Sequence, residues 1–209
     1  KGQNVYNLYA QLLAHVHESD FSKLNIPFLC IAADIETGEE VVLETGDLAS
    51  SLAASGAIPS LFSPVYLDGK MLTDGGILNN FPVNEVIAKG VDIIIGVDVQ
   101  DGLKTREELK SGIEILAQVG NFRTIKSIKS KKQNTDIYIK PDIKKFNVLS
   151  FDEGQDIINN GEIAAKEQLE SLQYIAEAQS KSMNRPPFKV KDSIAVGEIE
   201  IIGNKSLPR

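Results

Sequence analysis

The 209-residue chain is long enough for one α/β core, with or without a short extension, and too short for a multidomain enzyme. Its 42% hydrophobic and 24% charged residues, with a mean hydropathy of -0.10, exclude a disordered or fibrous chain, and its richest apolar run, 91–99, falls short of the roughly 18 residues of a membrane span. A net charge of -7, from 22 basic and 29 acidic residues, argues against wrapping a phosphate backbone, so nucleic acid is not an expected partner.

In chain order, Val5, Leu8, Leu12 and Val16 recur at helical spacing and predict a helix over 5–16. The run 26–35 has strand length, and Val41 to Leu43 follows Thr37-Gly38, so the two are expected to pair as a hairpin. Asp47 is placed to cap a short helix through Ala54, and Asp68-Gly69 predicts a second hairpin between 64–67 and 71–72. The loop Thr73-Asp74-Gly75-Gly76 then leads to Pro82 at the first turn of a helix ending at Gly90. Residues 92–99 read as a strand buried in the middle of a parallel sheet. A long helix over 106–131, a strand over 135–140 and a helix from a capping box at Ser150 and Glu153 to about Gln179 complete an alternating α/β pattern.

Beyond Ser180, Lys181 to Pro187 is polar and proline-stiffened, which sets a boundary: 1–179 as the main domain, 180–191 as linker, 192–209 as a truncated second module. The chain opens Lys1-Gly2-Gln3 without an initiator methionine and is expected to be cut from something longer. The single cysteine, Cys30, lies in an apolar run and reads as an inert buried thiol, which leaves the redox compartment open. His15 and His17 read as surface or packing residues of the first helix. Charge is uneven: residues 1–103 hold 4 basic and 14 acidic residues, whereas Arg123, Lys126, Lys129 and Lys132, with Lys131 beside them, form a positive stripe with no acid between Glu114 and Asp136. Such a stripe suits either solvent or anionic headgroups.

Chemistry concentrates at Asp74-Gly75-Gly76. Two glycines after an acid permit positive φ angles and close backbone approach, and the segment joins a strand to a helix, where open α/β sheets bind ligands. Three letters alone equally suit an ordinary turn. The surroundings are more specific. Ala53 to Pro59 with Ser55-Gly56, Phe62-Ser63-Pro64-Val65, Asp68-Gly69 and Asp74-Gly75-Gly76-Ile77-Leu78-Asn79-Asn80-Phe81-Pro82 resemble, in order and spacing, the second half of a bacterial patatin-like phospholipase domain. Ala33-Asp34-Ile35 with Thr37-Gly38 upstream, and Gly90 to Val99 downstream, extend the resemblance over roughly residues 1–178.

That resemblance implies a three-layer, α/β-hydrolase-related sheet flanked by helices, and a lipid acyl hydrolase working through a Ser/Asp dyad. Asp74 would be the base, Gly75 and Gly76 the motif loop, phospholipid or lysophospholipid the substrate, and a membrane surface the place of action. It implies neither metal nor organic cofactor. An apolar cleft is expected near 58–66. The family's nucleophile sits in a Gly-x-Ser-x-Gly elbow, which none of the 209 residues forms, so the strand and elbow that carry it are expected before Lys1 and this chain alone is expected to be inactive. A sheet lacking those strands would leave an open edge and self-associate. Gly197 to Asn204 resembles the opening strand of a POTRA module, which implies an exported parent at the periplasm or outer membrane, with a cytoplasmic location left open. Two rival readings are a non-catalytic scaffold or assembly module, and a magnesium-dependent phosphoryl enzyme using Asp34, Asp74 and Asp98.

Overall fold

The computed structural model describes residues 2–100, 102–147 and 150–180; the linker and the POTRA-like segment lie outside the described residues. Helix α1, Gln3–Leu12, ends a turn earlier than its apolar spacing predicts, and His15 and His17 lie beyond it, exposed. Strands β1 (Cys30–Asp34) and β2 (Glu40–Leu43) form the expected antiparallel hairpin, with Ala32 opposite Val41. Its turn is closed by Asp34, whose carboxylate accepts the Glu36 N–H at 3.0 Å, and by Gly38 at a φ of 70°.

Helix α2, Leu48–Ser55, starts where the sequence places it. The Asp47 carboxylate accepts the Ser50 N–H at 2.8 Å and satisfies one of the donors that every helix start leaves open. Asp47→Ala should therefore cost about 1 kcal/mol, read as a lower urea midpoint at unchanged slope.

Strands β3 (Val65–Leu67) and β4 (Lys70–Asp74) meet at Asp68 and Gly69, whose φ angles of 51° and 76° are those of a hairpin turn matched to strand twist. β4 also pairs with β1, Ala32 lying opposite Asp74, so four antiparallel strands run in the order β2-β1-β4-β3. Ala32, Leu43, Ala54 and Leu72 form the core between this sheet and α2.

The remaining elements are α3 (Val83–Ile87), β5 (Ile95–Val97), α4 (Gly112–Gln133), β6 (Ile137–Ile139), α5 (Gly154–Lys166) and α6 (Leu169–Ser180). β5 and β6 pair in parallel, Ile95 opposite Ile137, as a separate two-stranded sheet. Ile137, Ile139 and Ala164 make a second core beneath α5 and α6. The fold is thus mixed α/β, with its strands divided between two sheets. Among the described residues no helix is long and apolar enough to cross a membrane.

Several expectations are corrected. β5 is not a fully buried central strand: Ile93, Ile95, Val97 and Val99 alternate onto one side and are about half exposed, while Gly96 and Asp98 face inward. Helix α4 begins at Gly112 rather than near Arg106, because Ser111 and Glu114 make a reciprocal capping box there. The capping box expected at Ser150 does not form. Its hydroxyl accepts the Asn147 N–H at 3.2 Å instead, a 3-10 turn spans Phe151–Glu153, and the following helix breaks into α5 and α6. Pro82 stands one residue outside the first turn of α3, as its N-cap.

Candidate active site

Asp74 ends β4 and caps a 3-10 turn over Gly75–Ile77. Three bonds fix it. Its backbone N–H donates to the Ala57 carbonyl at 3.1 Å, the Thr73 hydroxyl donates to the same oxygen at 2.7 Å, and the Asp74 carboxylate accepts the Gly76 N–H at 2.6 Å. The side chain is half-buried. Burial raises its pKa above the ordinary 3.8, against the Gly76 N–H, which favours the charged form. A carboxylate held this way has a higher proton affinity than one in water and keeps one oxygen uncommitted to the turn.

Space, not φ, calls for glycine here, strictly at Gly75 and more loosely at Gly76. Neither has the positive φ that the sequence permits. A Cβ on Gly75 would stand 2.3 Å from the Ile31 carbonyl oxygen, so β1 and the turn approach backbone to backbone. One on Gly76 would stand 2.9 Å from both Asp74 Oδ1 and Asn80 Oδ1.

A cleft of about 420 Å³ opens beside this turn, lined by Pro59, Phe62, Pro64, Thr73, Ile77 and Leu78, with Asp34 but not Asp74 in its wall. Its lining is mainly apolar and overlaps the 58–66 segment where such a cleft is expected. Ser60, also in the wall, holds a φ of 73°, a left-handed conformation unusual for serine.

Behind the turn lies a buried polar chain that the sequence did not disclose. Asn79, 5% exposed, donates from Nδ2 to both Glu40 carboxylate oxygens at 3.1 Å and accepts the Lys131 ammonium at Oδ1. Burial lowers the Lys131 pKa, while the Glu85 and Glu40 carboxylates oppose that shift. Lys131 therefore leaves the positive stripe: it points inward from α4 and ties that helix to the Asp74 turn. Its signal was the seven-residue spacing from Thr124, which is also buried on the inner side of α4.

Asp34 and Asp98 do not join Asp74. Asp34 closes its own hairpin. Asp98, 2% exposed, accepts the Gln100 N–H at 2.9 Å and the Tyr138 hydroxyl, and pairs with Lys140 at 3.5 Å. Among the described residues no three His, Cys, Asp or Glu side chains stand together as a metal site, which removes the geometric basis of the magnesium reading.

Cys30 lies within the β1 core, donating to the Ser51 carbonyl at 3.6 Å, and burial pushes its thiol pKa up to about 11 from 9.0. Alkylation at pH 8 should run about a hundredfold slower than for a free thiol and recover in denaturant, measured by iodoacetamide labelling.

The Asp74 turn and the cleft beside it fall inside a segment that known proteins share. Residues 5–87 match the family model for patatin-like phospholipases. The chain is 26% identical over 175 residues to an uncharacterized NTE family protein of Mycobacterium tuberculosis, covering 69% of this chain and 29% of that protein. A second such protein of the same organism is 35% identical over 77 residues, 37% of this chain and 21% of that protein. A lysophospholipase NTE1 of Candida albicans is 39% identical over 74 residues, 35% of this chain and 5% of that protein. The chain spans less than a third of the length of each of these relatives.

Proposed function

We propose that the protein acts as a lipid acyl hydrolase on phospholipid or lysophospholipid esters, with Asp74 as the base of a Ser/Asp dyad. The observation that supports this best is a half-buried carboxylate of raised proton affinity, pinned at the end of a strand whose neighbouring residues Thr73, Ile77 and Leu78 line an apolar cleft. In such a dyad the serine oxygen bonds to the ester carbonyl carbon while its proton passes to Asp74. Collapse of the tetrahedral adduct releases the alcohol, which takes that proton, and water then cleaves the acyl-serine. The Gly75-Gly76 turn orients the carboxylate. No serine of these 209 residues stands in a Gly-x-Ser-x-Gly elbow, so the nucleophile belongs to the part of the proposal carried by family likeness.

The same proposal includes the exported, outer-membrane setting, supported only by the POTRA-like residues Gly197 to Asn204. It also includes self-association, supported by the half-exposed outer side of β5. The test uses the product of the intact gene: ester hydrolysis and fluorophosphonate labelling, with Asp74→Asn alongside. Labelling of one serine, with turnover lost in the variant, supports the dyad. Absence of both labelling and turnover returns the scaffold reading.

A further inference from the structure

Helix α4 presents two runs of exposed side chains on one side. Ile115, Leu116, Val119 and Phe122 occupy its early turns, each between 46% and 65% exposed. Arg123, Lys126 and Lys129 continue that side toward the C-terminus and are likewise exposed. At about 100° per residue all seven fall within roughly 80° of the direction of Val119, whereas Thr124 and Lys131 point the opposite way and are buried. None of the three outward cations forms an ion pair among the described residues, whereas Lys104 pairs with Glu114 of the first turn at 3.7 Å.

We propose that this side of α4 docks the protein on an anionic phospholipid surface. The apolar turns would enter the boundary between headgroups and acyl chains, and Arg123, Lys126 and Lys129 would meet lipid phosphates. Charge selects this occupant. The chain as a whole carries -7, yet no acidic residue lies between Glu114 and Asp136, so a strongly cationic strip adjoins an exposed apolar patch. Protein interfaces deplete lysine at their centres, whereas anionic bilayers gain from each basic side chain held near the surface. The proposal deepens the lipid-hydrolase reading by naming the surface on which it would work, but its test does not depend on turnover.

The measurement is co-sedimentation of the intact gene product with phosphatidylcholine vesicles, with and without phosphatidylglycerol. Binding should require phosphatidylglycerol and fall as salt rises. Replacing Arg123, Lys126 and Lys129 together by glutamine should lower partitioning on the order of a hundredfold, with helix content unchanged by circular dichroism. Phe122→Ser should weaken the salt-resistant remainder. Equal binding to neutral vesicles, no binding at all, or a charge-neutralised variant that binds like the wild type would overturn the proposal. So would light scattering that finds a dimer dispersed by Phe122→Ser, because a second copy would then own the patch. Hydrolysis of a short, monomeric ester in parallel separates the two ideas: loss of docking leaves it intact, and failure of the hydrolase reading leaves vesicle binding intact.

Discussion

Alanine at position 75 should lower stability by about 3 kcal/mol or more, seen as a large drop in urea midpoint. The new methyl would lie 2.3 Å from the Ile31 oxygen, 2.5 Å from its carbonyl carbon and 2.8 Å from its Cγ2. Two of those atoms are backbone of β1, which is locked between β2 and β4 in a register that sets Ala32 against Asp74. Relief requires the turn to lift away from β1, breaking the pairing that aims Asp74. Gly76→Ala differs in kind, since its obstacles are the Asp74 and Asn80 side-chain oxygens, which rotate aside. That variant should stay folded and, on the proposed dyad, lower the turnover of the intact gene product. Gly120→Ala is the control: its methyl finds only Ile77 Cγ2 at 4.0 Å, and a helix-interior glycine replaced by alanine should stabilise by up to about 1 kcal/mol.

On the proposed dyad, Asp74→Asn should abolish ester turnover by the product of the intact gene, by roughly 10³-fold or more in kcat, while making the folded protein more stable at neutral pH. The two effects share one cause. A carboxylate whose folded pKa is raised binds its proton more tightly folded than unfolded, so between the ordinary 3.8 and its raised folded pKa stability falls as pH rises, and above that pKa the full cost of holding the charge is present. Asparagine never carries that charge, and its carbonyl oxygen can still accept the Gly76 N–H. The stability gain should therefore be largest at neutral pH and fade as pH drops through the window toward 3.8. For the wild type, the acid limb of kcat/KM should lie above the ordinary carboxylate range, since in the proposed dyad Asp74 acts only when ionised. A variant less stable than wild type at pH 7, or one that retains turnover, removes Asp74 from the role of strained base.

Local chemistry was legible in the sequence, and long-range chemistry was not. The Asp47 cap, the Asp68-Gly69 hairpin and the Asp74 turn each depend on residues within a few positions, and each forms as expected. Ser111 with Glu114 and Ser150 with Glu153 carry the same capping pattern, yet only the first forms, because the Asn147 N–H occupies the Ser150 hydroxyl. The apolar run around β5 has the composition of a buried strand, but its exposure is decided by what packs against it, and only β6 pairs with it among the described residues. Of the two reasons the sequence offered for Gly75, close backbone approach holds and a left-handed backbone does not. Lys131 looked like one member of a solvated stripe because its partners, Asn79 and Glu40, come from distant parts of the chain.

Those separations bear on the order in which the molecule assembles. Asn79 reaches back 39 residues to Glu40 and is reached from 52 residues ahead by Lys131, so its three-way junction closes two long loops at once. Loop-closure entropy must be met before such contacts return any energy, and chains rich in distant contacts fold more slowly than those built from neighbours. The β1–β2 and β3–β4 hairpins can zip early from local turns. The Asn79 side of the turn that orients Asp74 can meet Glu40 early, but its third partner waits for α4, and during synthesis the junction stays incomplete until residue 131 has emerged.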